Sequence, residues 1–393
     1  MRRSFAFKLT LLTLVWLVLA IGCEQVPPRA FWPVIFGSLT TPVALVCTAA
    51  WAFYWLRRNW RVAVLPIVVL ALTWPHVQRG VALHPSQLVA KYNQAIRTNQ
   101  GAHPTFLPAS QHAGSLRLLS ANVRIFNVYA QFRDPDYASS KAFIKWLATS
   151  PADVLCLQEF YNEPRRSKET GGVFQSEQQL GVGSGRHAFV STSLTNSVGA
   201  EFGMAIFSRF PIVRRGTIAF GHLSQNHAMW ADLARPAAAT GRGRPDTIRV
   251  FNMHLQSMSM ADADLAAATG SRAGLRAKAP NLLRRFRYGA ESRGNQVDTV
   301  VARVAHSPYP VLLAGDTNDL PYSYTYDQLA DHLQNAWATA GLGIGATYNG
   351  RLPFMRIDQQ FASAQWQVLG CRVHKEIKWS DHFPLEGLYQ LTK

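Results

Sequence analysis

Trp379-Ser380-Asp381-His382-Phe383-Pro384 is the stretch that decides how this chain is read. An Asp-His pair set between a serine and an aromatic-proline step has no packing purpose at the entry to a strand. Alone, so short a string arises by chance. Its weight comes from four earlier strings in a fixed order: Leu119-Ser120-Ala121-Asn122-Val123, Leu157-Gln158-Glu159, Asn252-Met253-His254-Leu255 and Ala314-Gly315-Asp316-Thr317-Asn318. Each puts Asn, Glu, His or Asp at the end of a short apolar run. A sheet enzyme delivers polar groups to one edge in this way.

The bulk composition is that of a folded chain. Of 393 residues, 48% are hydrophobic and 16% charged, which excludes disorder as the default and leaves room for one large domain or two smaller ones. The formal net charge of +17 is divided unevenly. Residues 1–100 carry ten Lys or Arg against one Asp or Glu, and the remainder still has an excess of eight positive charges. A basic domain suits a polyanionic substrate or an anionic membrane surface, and equally serves solubility. The four cysteines form no C-x-x-C pair; Cys156 reads as a small core residue, and a Cys156–Cys371 disulfide stays open.

Three apolar segments come first, about Leu9 to Gly22, Phe31 to Leu56 and Val62 to Val77. A signal peptide would explain the first by itself, but two more make a membrane anchor over residues 1–78 the better reading. Arg2, Arg3 and Lys8 place the N-terminus inside, and Arg57, Arg58 and Arg61 place the link between the second and third spans inside too. The expected arrangement is a multi-pass protein of the cell membrane with a cytoplasmic N-terminus and a periplasmic or extracellular polar domain. Residues 79–114 read as a linker, with a helical spacing of Leu88, Val89, Tyr92 and Ile96 inside Ser86–Arg97 before Gly and Pro break it.

Residues 115–393 alternate strands and helices. Strands are expected over Leu116–Ala121, Val154–Gln158, Gly203–Phe207, Ile212–Ala219, Thr247–Met253, Pro310–Ala314, Arg356–Ala362, Trp366–Val373 and Leu385–Leu391. Helices are expected over Ser139–Thr149, Gln296–His306 and Ser323–Leu329, and Ala261 to Arg293 reads as an irregular insertion. Helices at only some connections indicate a layered α/β domain rather than a doubly wound sheet.

In order and spacing, these strings together with Gly203-Met204-Ala205-Ile206-Phe207-Ser208-Arg209-Phe210-Pro211-Ile212 resemble the endonuclease/exonuclease/phosphatase superfamily of DNase I-like enzymes. The resemblance spans essentially all of 115–393, and the N-terminal segments resemble those of membrane-anchored bacterial members. It implies a four-layer α/β/β/α sandwich and hydrolysis of a phosphate ester by in-line attack of water, assisted by a divalent metal, usually Mg²⁺ with Mn²⁺ as the alternative. It implies metal-side roles for Glu159, Asn122 and Asp381. Asp316 would position or deprotonate the water, Asn318 would hold the phosphate, His254 would donate to a phosphate oxygen or leaving group, and Asp358 would pair with His382, the stabiliser of the transition state. Thr317 and Gln359 stand where the family more often has a small or aromatic residue and an aromatic one.

The chemistry agrees without the family. Hydrolysis of a phosphodiester needs an activated water, neutralised phosphate oxygens and a stabilised leaving oxygen; one Asp, one metal and two His supply these. There is no G-x-S-x-G elbow, no cysteine nucleophile setting and no P-loop. For the substrate, Lys278, Arg284, Arg285 and Arg287 around Phe286 and Tyr288 suit a nucleic-acid backbone, which makes an endonuclease/exonuclease-type hydrolase the first expectation. The same cluster beside a bilayer suits a phospholipid phosphodiesterase. A small-molecule phosphatase and a non-catalytic membrane scaffold stand behind these, and no protein partner is inferable.

Overall fold

The computed structural model describes residues 2–84, 114–129, 134–221, 226–241, 243–257, 272–350, 352 and 354–392, with side chains from Phe5 onward and, within 272–305, from Ala279. The linker helix expected over Ser86–Arg97 and the side chain of Lys278 lie outside the described residues.

Among the described residues, twelve strands make two six-stranded sheets. They are β1 Ser115–Asn122, β2 Val154–Asn162, β3 His187–Thr195, β4 Glu201–Ser208, β5 Ile212–Ala219, β6 His227–Arg235, β7 Asp246–His254, β8 Val311–Asp316, β9 Gln334–Asn335, β10 Asp358–Ala362, β11 Trp366–Val373 and β12 Leu385–Leu391. One sheet runs β11-β12-β1-β2-β4-β3 and the other β5-β6-β7-β8-β10-β9. Most neighbours are antiparallel; β1–β2 and β7–β8 are parallel. A parallel pair needs a long crossover. Helix Ala138–Thr149 lies between β1 and β2, and helix Arg272–Ala305 between β7 and β8.

The period-two alternation of the central strands creates the layers. On β1, Leu116 and Leu118 enter a core between the sheets, while Leu119 and Ala121 enter a second core with Phe143, Ile144 and Leu147 of helix Ala138–Thr149. On β8, Leu312 and Ala314 face the first core, and Val311 and Leu313 face a third with Val297, Val300 and Val304 of helix Arg272–Ala305. Three cores between four layers are the α/β/β/α sandwich. Strands with both faces covered must be apolar throughout, and β8 is buried at every position.

Three strands beyond those expected, β3, β6 and the two-residue β9, complete the sheets. Ala261–Arg293 is also not an irregular insertion where it is described: from Arg272 onward it belongs to a 34-residue helix. The four cysteines are free.

Two N-terminal helices are long and apolar enough to cross a membrane, Phe5–Glu24 and Val34–Arg58. The third expected span is a pair, Trp60–Leu72 and Trp74–Gly80, bent by 65°; counted as one crossing it gives three spans. Ring donors join the helices: Trp55 Nε1 donates to Thr10 Oγ1 at 2.8 Å and Trp51 Nε1 to Thr13 Oγ1 at 3.0 Å. Glu24, fully buried, accepts from Thr41 Oγ1 at 2.7 Å and from Arg79 at 3.0 Å, and Arg79 also donates to Asp327 of the sandwich at 2.9 Å.

Candidate active site

Register assembles the site before any side chain is considered. His254 at the end of β7 is paired with Asp316 at the end of β8, and Asp316 with Asp358 at the start of β10. Three adjacent strands thus bring a His and two Asp side by side at one edge. From the facing sheet, Asn122 ends β1 and Glu159 stands in β2. The ladder between β2 and β4 slips between Leu157 and Phe160, and Glu159 has a left-handed φ of +49°. Such a backbone costs a residue with a Cβ about 1–2 kcal/mol, and strain of this kind gathers at functional sites. Asn318 shares it, with φ +50°.

Asp316 is the hub. Its Oδ2 accepts from Asn122 Nδ2 at 3.1 Å and lies 3.7 Å from His254 Nε2 and 3.9 Å from His382 Nε2. Its Oδ1 accepts the Asn318 backbone N–H at 2.8 Å. The same Asn122 Nδ2 donates to Glu159 Oε1 at 3.0 Å, and Glu159 lies 3.9 Å from His254. His382 Nδ1 meets Asp358 Oδ2 at 2.9 Å. The pairing expected for Asp358 and His382 is therefore formed. Asp381 sits apart from this knot at the rim, 3.3 Å from Arg124 Nε. Asn318 Nδ2 donates to the Leu255 carbonyl at 2.9 Å, which fixes the turn after Asp316.

Burial and charge oppose each other here. Burial pushes the Asp316 carboxyl above its ordinary value and Asp358 adds to this, while His382, His254 and the Asn318 N–H pull it down; the net direction is up. Burial alone would lower His382, but Asp358 and Asp316 outweigh it and hold the imidazole well above its ordinary value. A raised carboxylate beside an imidazole kept cationic is suited to proton transfer and to binding an anionic transition state.

Several supporting residues were not among those expected from the sequence. Ser380 Oγ donates to the Asn122 carbonyl at 2.8 Å and accepts from the His382 N–H at 3.2 Å, pinning the segment around His382 to the end of β1. Thr347 Oγ1 accepts the Asp358 N–H at 3.0 Å, and the Tyr348 ring stands edge-on to His382 at 5.7 Å. Gln158 and Asn252, buried between the sheets, bond each other at 2.6 Å, and Asn252 Nδ2 donates to the Leu157 and Ala205 carbonyls. Ser380, Gln158 and Asn252 sit inside the quoted strings, so they were findable; Thr347 and Tyr348 were not.

The profile of the endonuclease/exonuclease/phosphatase family matches residues 120–382, two thirds of the chain and the whole span from β1 to His382. The chain belongs to the endonuclease/exonuclease/phosphatase family. It is a phosphoric ester hydrolase by that membership. Residues 2–80 match a separate domain of unknown function, DUF8431. No curated protein matches the chain in sequence. Similar solved structures include an endonuclease/exonuclease/phosphatase of Beutenbergia cavernae, 19% identical, covering 70% of this chain and 72% of its own, with a TM-score of 0.48. The human Nocturnin catalytic domain is 17% identical, covering 71% and 96%, at 0.48. A mannosyl-6-phosphatase of Bacteroides thetaiotaomicron is 16% identical, covering 71% and 100%, at 0.45.

Members of this family generally depend on a divalent metal, and the site's donors fit one. Glu159 and Asp316 each bond the same amide nitrogen of Asn122, so two carboxylates converge on one small volume, and Asp358 Oδ1 is buried without a hydrogen-bond partner. Asp316, Asp358 and His382 also offer ligand atoms within 4.8 Å of one another. The imidazole of that triad is held in its cationic form by Asp358 and Asp316, and a cationic imidazole cannot ligate a metal. The donors are carboxylate oxygens with no thiolate, the kind that hard cations such as Mg²⁺ and Mn²⁺ take.

Proposed function

We propose that this chain is a membrane-anchored, divalent-metal-dependent phosphodiesterase that hydrolyses its substrate by in-line attack of water. One observation carries the reading: Asp316 stands within 4 Å of Asn122, His254 and His382, with Glu159 on the same Asn122 and Asp358 behind His382. Glu159 and Asn122, with Asp381 at the rim, would hold the ion, Mg²⁺ or Mn²⁺. Bound there, it would offset phosphate charge and lower the pKa of coordinated water. Asp316 would orient the attacking water and take its proton, helped by its upward-shifted carboxyl. Asn318 fixes the lip of the site, and His254 and cationic His382 would bind the non-bridging and leaving oxygens. Asp358 keeps His382 charged and in one orientation.

For the substrate, the basic cluster is the discriminating feature. Phe286 stacks on Phe36 at 5.4 Å, and the Arg287 guanidinium lies 5.8 Å from the Trp32 ring. Arg29 donates to Asn295 at 3.1 Å. Helix Arg272–Ala305 therefore lies on the link between the first two spans and on the start of the second. A cluster so placed supports a phospholipid headgroup at the membrane surface over a free nucleic-acid track. The N-terminus is proposed to be cytoplasmic and the sandwich periplasmic or extracellular, with 1–78 as anchor, 79–114 as linker and 115–393 as catalytic domain.

The test is Mg²⁺-dependent hydrolysis of bis(p-nitrophenyl) phosphate by the full chain in detergent, with Asp316→Ala and His382→Ala as controls. Activity surviving in both variants, or indifferent to EDTA, removes the catalytic assignment. Phosphatidylglycerol vesicles and plasmid DNA, offered in parallel, decide between lipid and nucleic acid. A reporter fused after Lys393 that proves cytoplasmic overturns the orientation.

A further inference from the structure

The anchor and the sandwich form a half-open cavity of about 720 Å³. Val43, Val46 and Ala49 of the second span form one wall, and Leu70, Trp74 and Val77 of the bent pair form the other. Its roof is catalytic-domain chain: Leu320-Pro321-Tyr322, which follows Asn318, and Arg356, two residues before Asp358. Tyr322 is built into the anchor, packing in one cluster with Leu17, Ala44 and Leu45 and donating to the His76 carbonyl at 3.0 Å.

The lining is apolar except at one end. Water in a protein cavity needs two to four polar partners, and an apolar space holds apolar ligands instead. Its size falls within the range of about 300–1,000 Å³ typical of ligand pockets. Arg356 supplies the polar end. It is 2% exposed, and the carbonyls of Ile344 and Arg79 accept from its two terminal nitrogens. Its Nε has no hydrogen-bond partner, and among the described residues no carboxylate forms an ion pair with it. The charged and titratable groups acting on it are Tyr322, Tyr326 and Cys371. A guanidinium is always charged, and burying it without an anion is costly. The Arg356 guanidinium also lies 5.6 Å from the Trp337 ring; an apolar slot between membrane helices, ending at a cation with no anionic partner among the described residues, matches a molecule with a hydrocarbon tail and an anionic head.

We propose that this cavity binds a bilayer phospholipid, with an acyl chain between the second span and the bent helix pair and its phosphate against Arg356. The inference rests on the membrane-anchored reading and is independent of the catalytic one. The lipid joins the anchor to the roof formed by Leu320-Pro321-Tyr322, and so to the turn that carries Asp316 and Asn318.

The test uses the full-length Asp316→Ala protein in phosphatidylcholine nanodiscs doped with phosphatidylglycerol bearing a diazirine near the glycerol end of one acyl chain, so hydrolysis plays no part. After irradiation, adducts are mapped by mass spectrometry. Adducts are expected on Leu320–Tyr322 and Ile344, residues of the roof, as well as on the exposed face of the first span at Val18 and Leu19, which serves as the bulk-lipid reference. Val46→Trp fills the cavity from a position 69% exposed, where the added ring disturbs no core. It should cut roof labelling relative to the reference by at least about tenfold, equivalent to ~1.4 kcal/mol of binding. Arg356→Gln should do the same for the phosphatidylglycerol probe. Roof labelling that is absent, or unchanged in Val46→Trp, overturns the proposal even if Arg356→Gln fails to fold. Release of the full chain from membranes by alkaline carbonate would instead overturn the anchoring on which it rests.

Discussion

Replacing Asp358 by Asn probes the charge logic of the site with almost no change in shape. His382 is buried, and its cation survives because two carboxylates face it, Asp358 at 2.9 Å and Asp316 at 3.9 Å. At an effective dielectric of about 20, unit charges at those separations attract by about 6 and about 4 kcal/mol. Asp358→Asn thus removes more than half of the attraction that opposes burial, while an amide oxygen can still accept from Nδ1. The imidazole should then fall toward its neutral form. In the wild type the cation persists through neutral pH and is lost only as pH rises through the raised pKa, so the alkaline limb of activity lies high. In Asp358→Asn that limb should move to lower pH, and kcat at neutral pH should fall by about 10²–10³-fold, the usual effect of removing one transition-state donor. The assay is the pH profile of kcat/KM on bis(p-nitrophenyl) phosphate at saturating Mg²⁺, with circular dichroism as a check on folding. An unchanged alkaline limb, whatever happens to the rate, would refute the idea that Asp358 acts through the charge of His382. Stability has the same sign: the contribution of the His382 cation is complete below the ordinary imidazole value of 6.5 and is lost as pH climbs through the raised one.

Three further outcomes are expected. Mg²⁺ at a hundredfold its Kd should stabilise the wild type by about 2.7 kcal/mol over EDTA, read as a Tm shift that Glu159→Gln loses; a shift that persists would place the ion elsewhere. Because Glu159 holds a left-handed φ, Glu159→Gly should be more stable in EDTA than Glu159→Ala by about 1 kcal/mol, and equal denaturant midpoints would show that the strain is absent. Arg79→Ala leaves Glu24 and Asp327 buried without their cation and should cost about 3–5 kcal/mol in thermal unfolding of the full chain. The exposed Lys141–Asp136 pair is the control, with Lys141→Ala expected to cost under about 1 kcal/mol.

Much of this protein is written locally. Ile212–Ala219, Trp366–Val373 and Leu385–Leu391 are strands at the boundaries their composition indicates. Asn122, Glu159, His254 and Asp316 stand in or at the ends of apolar runs, because a strand covered on both faces has only its edge for polar groups. The pairing of Asp358 with His382 was expected only from the family resemblance, since nothing in the two local strings links them. What remained hidden depended on partners distant in sequence. β6 contains His227, Asp232 and Arg235, which disguise it until Arg249 binds Asp232 at 2.6 Å across the ladder. β3 is an edge strand, largely exposed, with no alternation to betray it. Helix Arg272–Ala305 has Gly, Pro280 and a run of arginines, and is held by packing of Val297, Val300 and Val304 and by Phe36 rather than by its own propensity. The sequence by itself therefore determined the layered α/β class and the apolar N-terminal segments, since each is a matter of burial pattern along one strand or helix, while the four-layer sandwich and the candidate site residues were legible only through the family resemblance. Only the tertiary structure decided that Asp316 is the hub, that the basic helix lies on the anchor and that Arg356 stands at one end of an apolar cavity, because electrostatic energy depends on distances between groups that the chain brings together only when it folds.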